Sequence, residues 1–513
     1  MRGSPGSRAR ALATLLVLTV GALALRVVGL GRLPLWLDEG YSLLQVTYRP
    51  LSDWLVDVHP PLYTALLWVW TRVAVSDAWL RLLSALLGAA TIPAVYALGA
   101  RLLGRACGLW AAGFLAVTWF HVWHSREARM YPLLVLTFTL ALWGLVAGAR
   151  DGQARGWIVY AVAGAAMAWS HAVGIYYAAV LAVLALAIPR QDGQRWSWRP
   201  WLAGGAGLVA LFAPWLPVAV AITRDTIADF WVLPAGPEPP FFTTVYQFTV
   251  SPIVSPADLL RSQLRLDFGA LLGTWIWMVP ILAVLACAIA LGQPSQRWTV
   301  RLLVLAYLAP IGLFTALSLV ARPILLPRIL LPVVVPLVLL LAVGVEAVPR
   351  PRWRAAVGAG LALVLLLGTV YGLRHDAGVT EGWRAAAHHV RAEARNGDVL
   401  LFLSGRPASP RRESLTSRQL ATVEMLLLRY DDTGRLQSLP RITTARVADE
   451  CPPRELAACL DRAVREPGAD GRVWVIRRGR LLPPVLESWL EQRLEAGPVA
   501  EFPNLLVERR RLR

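Results

Sequence analysis

The chain has 513 residues, of which 56% are hydrophobic and only 16% are charged, and its mean hydropathy is +0.52. Soluble domains carry about 25% charged residues, so this composition excludes an ordinary soluble protein and predicts an integral membrane protein. The net charge of +18 does not indicate a nucleic-acid partner, because the excess arginines lie mostly in short connections between apolar runs. All basic residues are arginine, so any recognition of phosphate must use guanidinium groups.

The first apolar run, residues 11–30, follows a segment with three arginines and lacks a clear small-residue cleavage site. We interpret it as a retained span rather than a signal peptide. Further runs of spanning length follow, and together they predict about eleven transmembrane helices. The later runs are residues 81–100, 106–123, 131–149, 157–172, 173–189, 201–221, 269–291, 300–320, 328–347 and 355–373.

The charges between these runs predict the orientation. With the N-terminus in the cytoplasm, the inner connections hold 15 Arg and three acidic residues, and the outer side holds the other 11 acidic residues of this region. This distribution obeys the positive-inside rule. An odd number of spans then places residues 374–513 outside, so we predict a multi-pass plasma (inner) membrane protein with an extracytoplasmic C-terminal domain.

Two outer loops are long. Residues 31–80 contain short amphipathic stretches, including residues 62–70, that are too broken to predict a span. Residues 222–268 are rich in proline and aromatic residues, a composition typical of segments that lie in the membrane interface.

After residue 373 the composition becomes that of a soluble domain. A helical pattern at residues 381–395 is followed by strand-like runs at 399–403 and 473–476, which predicts a small α/β domain. The predicted fold is therefore mainly α, with a transmembrane catalytic region at 1–373 and a soluble domain at 374–513. Whether Cys451 and Cys459 form a disulfide in that domain is left open.

Polar motifs occur on the predicted outer face. Asp38 and Glu39 are adjacent carboxylates just after the first span, where the structural alternative is a pair at a helix N-terminus. His59 precedes two prolines that fix the entry into a helix, so a turn is the alternative there.

A second group of charges lies in a tight outer connection between two spans. Arg126, Glu127 and Arg129 fall within four positions, just before Tyr131, and the structural alternative is a solvated hairpin tip. His171 also lies at an outer helix end.

Arginines at an outer helix end run against the charge bias. Arg322 and Arg328 flank the outer start of a predicted span, which indicates an anionic partner such as a lipid phosphate. Transfer of a sugar from a polyprenyl-phosphate carrier requires a carboxylate that accepts a proton and cations that hold the phosphate. The residue types on the predicted outer face match this requirement.

Four motifs in order, residues 35–40, 59–63, 126–131 and 327–336, resemble the GT-C superfamily of integral membrane glycosyltransferases. The nearest branch is that of the protein O-mannosyltransferases and the lipid A aminoarabinose transferase. Residues 381–400 are similar to the start of the extracytoplasmic domain of bacterial members. The resemblance implies inverting, single-displacement transfer from a polyprenyl-phosphate sugar to a lipid, glycan or protein acceptor at the cell envelope.

The resemblance also implies roles for residues. Asp38 would be the catalytic base with Glu39 beside it, and Glu127 a second acid that orients substrate or a divalent cation. The implied donor-phosphate and sugar ligands are Arg126, Arg129, Tyr131, Arg322 and Arg328, and the implied substrate contacts are His59, Tyr63 and His171. Some relatives use a lysine for the phosphate, and this chain has none. Whether Mg²⁺ or Mn²⁺ takes part is left open.

Two other classes compete with a transferase. A transporter would show internal repeats or mid-span ionisable residues. No repeat is evident, and Glu346, the only acid near a span interior, lies close to an inner end. A non-catalytic scaffold whose C-terminal domain binds glycans is the other alternative. The sequence does not indicate the sugar or the acceptor.

Overall fold

The molecule is described here from a computed structural model. It describes residues 5–55, 59–190, 197–221, 296–320, 324–375, 381–404, 413–444, 455–465, 472–478 and 484–513, together with residues 57, 245, 248, 249, 281, 282, 284, 285 and 447.

The chain divides into two compact units. The helical unit comprises Met1–Leu30 and Leu51–Gly378, and the sheet unit comprises Gly31–Pro50 and Val379–Arg513. The division differs from the predicted domains in one segment, because residues 31–50, which carry Asp38 and Glu39, group with the C-terminal residues.

The helical unit is built from apolar helices. Its helices are α1 (Pro5–Val27), α3 (Leu51–Leu55), α4 (Leu62–Trp70), α5 (Asp77–Leu103), α6 (Arg105–Val117), α7 (Trp119–His124), α8 (Tyr131–Ala149), α9 (Ala154–Ser170), α10 (Gly174–Leu184), α11 (Trp198–Phe212), α12 (Arg297–Val320), α13 (Val334–Glu346) and α14 (Pro351–Arg374). Short 3₁₀ turns at Ala185–Ala187, Ala213–Trp215 and Pro327–Val333 extend α10 and α11 and precede α13.

Seven helices in the described part of the chain are long and apolar enough to cross a membrane. They are Gly6–Val27, Asp77–Leu103, Tyr131–Ala149, Trp198–Ala221, Arg297–Val320, Pro327–Glu346 and Pro351–Arg374. Arg105–Val117 and Gly174–Ala187 are shorter apolar helices.

The predicted helical membrane fold is confirmed, and the number of about eleven spans stays a prediction. The predicted span at 106–123 is interrupted, because Thr118 has extended backbone angles and separates α6 from α7. Most of the predicted span at 269–291 and most of the predicted loop at 222–268 lie outside the described residues.

Glycines bring the central helices into close contact. A Cβ at Gly144 of α8 would lie 2.5 Å from the backbone nitrogen of Tyr160 in α9, and one at Gly156 of α9 would meet the backbone of Gly148. Such contacts let membrane helices associate without large apolar side chains between them. The α8–α9 pair is therefore a tightly packed element, with Tyr131 at the start of α8 and His171 directly after α9.

Polar contacts link the ends of helices that the sequence predicts to be cytoplasmic. Arg101 forms an ion pair with Asp151 at 2.6 Å, and Glu346 forms one with Arg354 at 2.9 Å. The guanidinium of Arg150 lies 4.4 Å from the ring centre of Trp298. The predicted alternation of the helices is consistent with these contacts, and which end faces the cytoplasm stays a prediction.

The sheet unit combines helices with a mixed sheet. Its elements are α2 (Leu37–Tyr48), α15 (Trp383–Glu393), β1 (Val399–Ser404), α16 (Glu413–Arg429), β2 (Arg441–Thr443), α17 (Leu456–Arg465), β3 (Arg472–Arg478), α18 (Pro484–Arg493), β4 (Leu494–Glu495), β5 (Val499–Phe502) and β6 (Leu505–Leu512).

The strand order is β2-β1-β3-β6-β4, and β5 pairs with β6. Strand β1 runs parallel to β2 and β3, whereas β6 is antiparallel to β3. Both faces of β1 are buried, with Val399 and Leu401 on one side and Leu400 and Phe402 on the other. The predicted small α/β domain is thus confirmed. Cys459 is disulfide-bonded, and Cys451 lies outside the described residues.

Candidate active site

A row of four aromatic rings crosses one end of the helical unit. The ring centre of His59 lies 4.5 Å from that of His171, His171 lies 5.8 Å from Tyr131, and Tyr131 lies 5.1 Å from His124. The guanidinium of Arg328 lies 6.0 Å from the Tyr131 ring centre. These residues come from five separate segments, so the fold rather than local sequence assembles the ring row.

Helix boundaries bring the members of this row together. Tyr131 begins α8, and Pro132 follows in the first turn, where a proline is well tolerated. His171 ends α9 with extended backbone angles, and Arg328 lies in the 3₁₀ turn that leads into α13. His59 lies before Pro60 and Pro61, at the entry to α4.

His59 is held in its neutral form. Burial lowers the pKa of His59 well below its ordinary value, and nearby His171, Arg129 and Arg328 lower it further. The Nδ1 atom of His59 is buried and makes no hydrogen bond within the described structure. The imidazole therefore adds no positive charge at neutral pH, and the positive charge around it comes from the two arginines.

A hydrogen-bonded chain fixes the backbone that carries Arg129. The hydroxyl of Tyr63 lies 2.8 Å from Oγ of Ser84, and Ser84 Oγ donates to the carbonyl of Arg129 at 2.9 Å. Both hydroxyls are buried. Tyr63, predicted as a substrate contact, thus also has a structural role.

Glu127 is paired with a histidine that the sequence did not single out. Its Oε2 lies 2.9 Å from Nδ1 of His124, and both side chains are almost fully buried. The spacing of three residues, which places two side chains on one face of a helical turn, was the signal that could have found this pair. The second ring nitrogen of His124, Nε2, is buried and makes no hydrogen bond among the described residues.

Arg126 interacts with the end of a helix. Its Nη1 lies within hydrogen-bonding distance of the carbonyls of Leu25, Arg26 and Val28, at 3.2, 3.0 and 2.7 Å. Carbonyls at a helix C-terminus carry partial negative charge and favour such a cation. The predicted donor ligand Arg126 therefore also caps α1.

Asp38 and Glu39 belong to the sheet unit and begin α2. The backbone N–H of Trp36 donates to Oε2 of Glu39 at 3.2 Å, and Glu39 is fully buried. A carboxylate in this position satisfies a backbone donor that the helix leaves unbonded. Asp38 is half-buried, in the first turn of the helix, so of the two carboxylates it is the more accessible.

The predicted site residues thus fall into three groups. The helical unit brings together His59, Tyr63, Glu127, Arg129, Tyr131, His171 and Arg328, with Arg126 at the end of α1. The sheet unit holds Asp38 and Glu39. Arg322 lies outside the described residues.

The His, Cys, Asp and Glu side chains are the groups that could coordinate a metal ion. No three His, Cys, Asp or Glu side chains of the described residues group closely enough to hold a metal ion. Glu127 has His124 as its neighbour, while His59 and His171 adjoin arginines. A divalent cation stays a prediction from the resemblance.

Known proteins share this architecture. Residues 58–217 match the family model of the dolichyl-phosphate-mannose-protein mannosyltransferases. The crystal structure of apo ArnT from Cupriavidus metallidurans superposes with a TM-score of 0.61 at 15% identity, over 98% of each chain. The matched segment and the shared fold bear out the predicted resemblance to GT-C glycosyltransferases.

Further GT-C structures extend the comparison. Cupriavidus metallidurans ArnT bound to undecaprenyl phosphate matches with a TM-score of 0.55 at 15% identity, covering 99% of this chain and 98% of that one. The apo oligosaccharyltransferase of Archaeoglobus fulgidus matches with a TM-score of 0.50 at 10% identity, covering 91% and 69%. No curated protein matches the chain by sequence. The family match and the GT-C fold together support a membrane glycosyltransferase.

Proposed function

We propose that this protein transfers a sugar from a polyprenyl-phosphate-linked donor to an acceptor hydroxyl on the extracytoplasmic side of the membrane. The observation that carries the proposal is the placement of Arg129 and Arg328 beside the ring row of His59, Tyr131 and His171. The GT-C fold and the undecaprenyl phosphate bound to the structurally similar ArnT support it.

The arginines suit a phosphate leaving group. When the bond between the anomeric carbon and the phosphate oxygen breaks, the electron pair and a negative charge move onto the lipid phosphate. Guanidinium groups stabilise that charge, most strongly where water is excluded. Arg129 is almost fully buried, and the imidazole of His59 lies close to both arginines without adding charge. Tyr131 and the two histidines offer surfaces for the sugar.

Asp38 is the proposed base. Its carboxylate takes the proton of the acceptor hydroxyl as that oxygen attacks the anomeric carbon from the face opposite the phosphate. The configuration is inverted in this single displacement, and polyprenyl phosphate leaves. Glu39 holds the start of α2, and the pair of Glu127 with His124 orients the donor.

The test is an Asp38→Asn variant in proteoliposomes with radiolabelled polyprenyl-phosphate sugars and native membrane acceptors. A general base contributes about 10²–10⁴-fold, so we expect transfer to fall by at least ~100-fold. Asp432→Asn is the matched control, because Asp432 belongs to the same unit and is largely exposed. Normal transfer by Asp38→Asn would refute the base, and no consumption of any donor by wild type would refute the transferase.

The orientation is part of the proposal. The positive-inside distribution supports a sheet unit on the outer side, and the disulfide-bonded Cys459 fits an oxidising compartment. Protease added to intact spheroplasts should cleave within the sheet unit. The connections that follow α5 and α8 should stay uncut, because they are predicted to face the cytoplasm. Cleavage only at those connections would show that the protein has the opposite orientation in the membrane.

A further inference from the structure

We infer that the sheet unit positions the proposed catalytic base, because α16 and Tyr430 hold α2, and with it Asp38, in a fixed orientation. Leu426 of α16, Tyr430 and Arg384 are the positioning residues. The inference rests on the proposed function of Asp38. It assigns the sheet unit a role in the reaction.

The closest contact is between a glycine and a leucine. A Cβ at Gly40 would lie 2.7 Å from Cδ1 of Leu426 and 2.9 Å from its Cγ and Cδ2, so either the Leu426 side chain or α2 would have to shift. Leu426 is fully buried and its side chain is therefore held in place. A methyl group at position 40 would therefore displace either the Leu426 side chain or α2.

Helical geometry places Asp38 away from this contact. Residues two apart in an α-helix point about 200° apart, so the face that packs on Leu426 is nearly opposite the face that presents Asp38. Leu43 and Leu44 are buried on the same short helix, while Asp38 remains half-buried. The packing therefore fixes the rotation of α2 and leaves the carboxylate accessible.

Two hydrogen bonds fix the chain just before the helix. The backbone N–H of Leu35 donates to the hydroxyl of Tyr430 at 2.7 Å, and Nη1 of Arg384 donates to the carbonyl of Arg32 at 2.9 Å. The guanidinium of Arg384 also lies 5.2 Å from the ring centre of Tyr430. Residues 32–35 are thus bound by two side chains that follow them by more than 350 positions.

These contacts should affect catalysis by setting the distance between the Asp38 carboxylate and the acceptor hydroxyl. A base must sit within hydrogen-bonding reach of the proton it takes, and a misplacement of about 1 Å can cost about 100-fold in rate. The phosphate-binding candidates Arg129 and Arg328 belong to the helical unit. Loosening α2 should therefore lower kcat and leave the KM for the donor nearly unchanged.

The decisive experiment is a rescue series in proteoliposomes. We expect Gly40→Ala to lower kcat by about 10-fold or more, with the KM for the donor within twofold of wild type. Leu426→Ala removes the side-chain atoms that the new Cβ would meet, so Gly40→Ala/Leu426→Ala should recover to the level of Leu426→Ala alone. Gly360→Ala is the control, because a Cβ at Gly360 meets nothing within 4 Å.

Tyr430→Phe tests the same inference without adding bulk. It removes the acceptor of the Leu35 N–H and keeps the ring that faces Arg384, and we expect kcat to fall by about threefold to 10-fold from the loss of one buried hydrogen bond. Wild-type kcat in both Gly40→Ala and Tyr430→Phe, or a double variant as impaired as Gly40→Ala, would overturn the positioning role. Normal transfer by Asp38→Asn would instead refute the base itself.

Discussion

The two units bury charge in different ways. In the sheet unit, buried carboxylates are matched by arginines or hydrogen-bond donors: Asp398 lies 3.2 Å from Arg472, and Glu508 lies 2.7 Å from both Arg477 and Arg510. In the helical unit, the buried Arg26 binds two carbonyls and the imidazole of His121 at 2.8 Å.

The comparison distinguishes charged side chains that stabilise the fold from those proposed to take part in the reaction. Buried acids with matched cations hold the sheet together, whereas Asp38 is half-buried in the first turn of α2. Around Arg129 and Arg328, the neutral imidazole of His59 adds no further positive charge. The proposed proton transfer and the proposed phosphate binding thus belong to different units, so mutations should impair one step without the other.

The largest effect should come from breaking a structural pair in the sheet unit. Asp398 accepts hydrogen bonds from Trp474 Nε1 at 2.8 Å and from the backbone of Arg395 at 2.9 Å, besides its contact with Arg472. Asp398→Asn removes the charge and should lower the free energy of unfolding of the sheet unit by about 3 kcal/mol. Hydrogen–deuterium exchange of peptides that cover β1 and β3 measures this.

In that variant the turnover of the fraction that stays folded should equal that of wild type. A loss of turnover without a loss of stability would mean that Asp398 takes part in the reaction, and the proposed distinction between structural and functional acids would fail.

Arg328→Ala tests the helical unit. Loss of a guanidinium that binds a phosphate should weaken binding of the donor by about 30-fold, since charge-assisted contacts contribute roughly 2 kcal/mol. Titration with a polyprenyl phosphate, followed by quenching of tryptophan fluorescence, gives the Kd. Arg352→Ala, at the predicted cytoplasmic end, is the matched control, and an equal Kd in both variants would remove Arg328 from the site.

His124→Phe sharpens the role of Glu127. It keeps a ring between Phe120 and Tyr131 but removes the partner of the carboxylate, and we expect kcat/KM for the donor to fall by about 10-fold. His124→Asn, which can still donate a hydrogen bond, should recover part of the loss. Full activity in His124→Phe would show that the pairing is dispensable.

The smallest effect should be on pH dependence. Because the pKa of His59 is lowered in the folded protein, the unfolded chain binds a proton that the folded one does not as pH falls below about 6.5. The stability that the neutral imidazole contributes is therefore complete above that pH and is lost in acid. Thermal unfolding of His59→Asn in detergent should show a smaller drop in Tm between pH 7 and pH 5 than wild type, and an equal drop would contradict the assignment.

Local pattern predicted most of the regular structure. The stretch predicted at residues 62–70 is α4, and the helical pattern at 381–395 and the apolar runs at 399–403 and 473–476 correspond to α15, β1 and β3. Each of these depends on neighbours in sequence, through periodicity or a flanking turn. The interruption at Thr118 has no such signal, because the residues on both sides are apolar.

The site was predictable in its residue types but not in its partners. The hydrogen-bonded pair of His124 and Glu127 follows from their spacing, whereas the binding of Arg126 to the end of α1 spans about 100 positions. The contact of Gly40 with Leu426 is more distant still, and a lone glycine in a short amphipathic stretch does not indicate which helix will cover it. Tertiary packing decides these pairings.

The glycine contacts between α8 and α9 bear on how the protein would meet its donor. Tyr131 and His171 extend from a helix pair that has little room to shift, since the backbones of Gly144 and Gly156 touch the facing helix. The conformational entropy of arranging these rings is then lost during folding, rather than in each catalytic cycle. With a rigid α8–α9 pair, a flexible long-chain lipid could bind without a further loss of conformational entropy in this part of the protein.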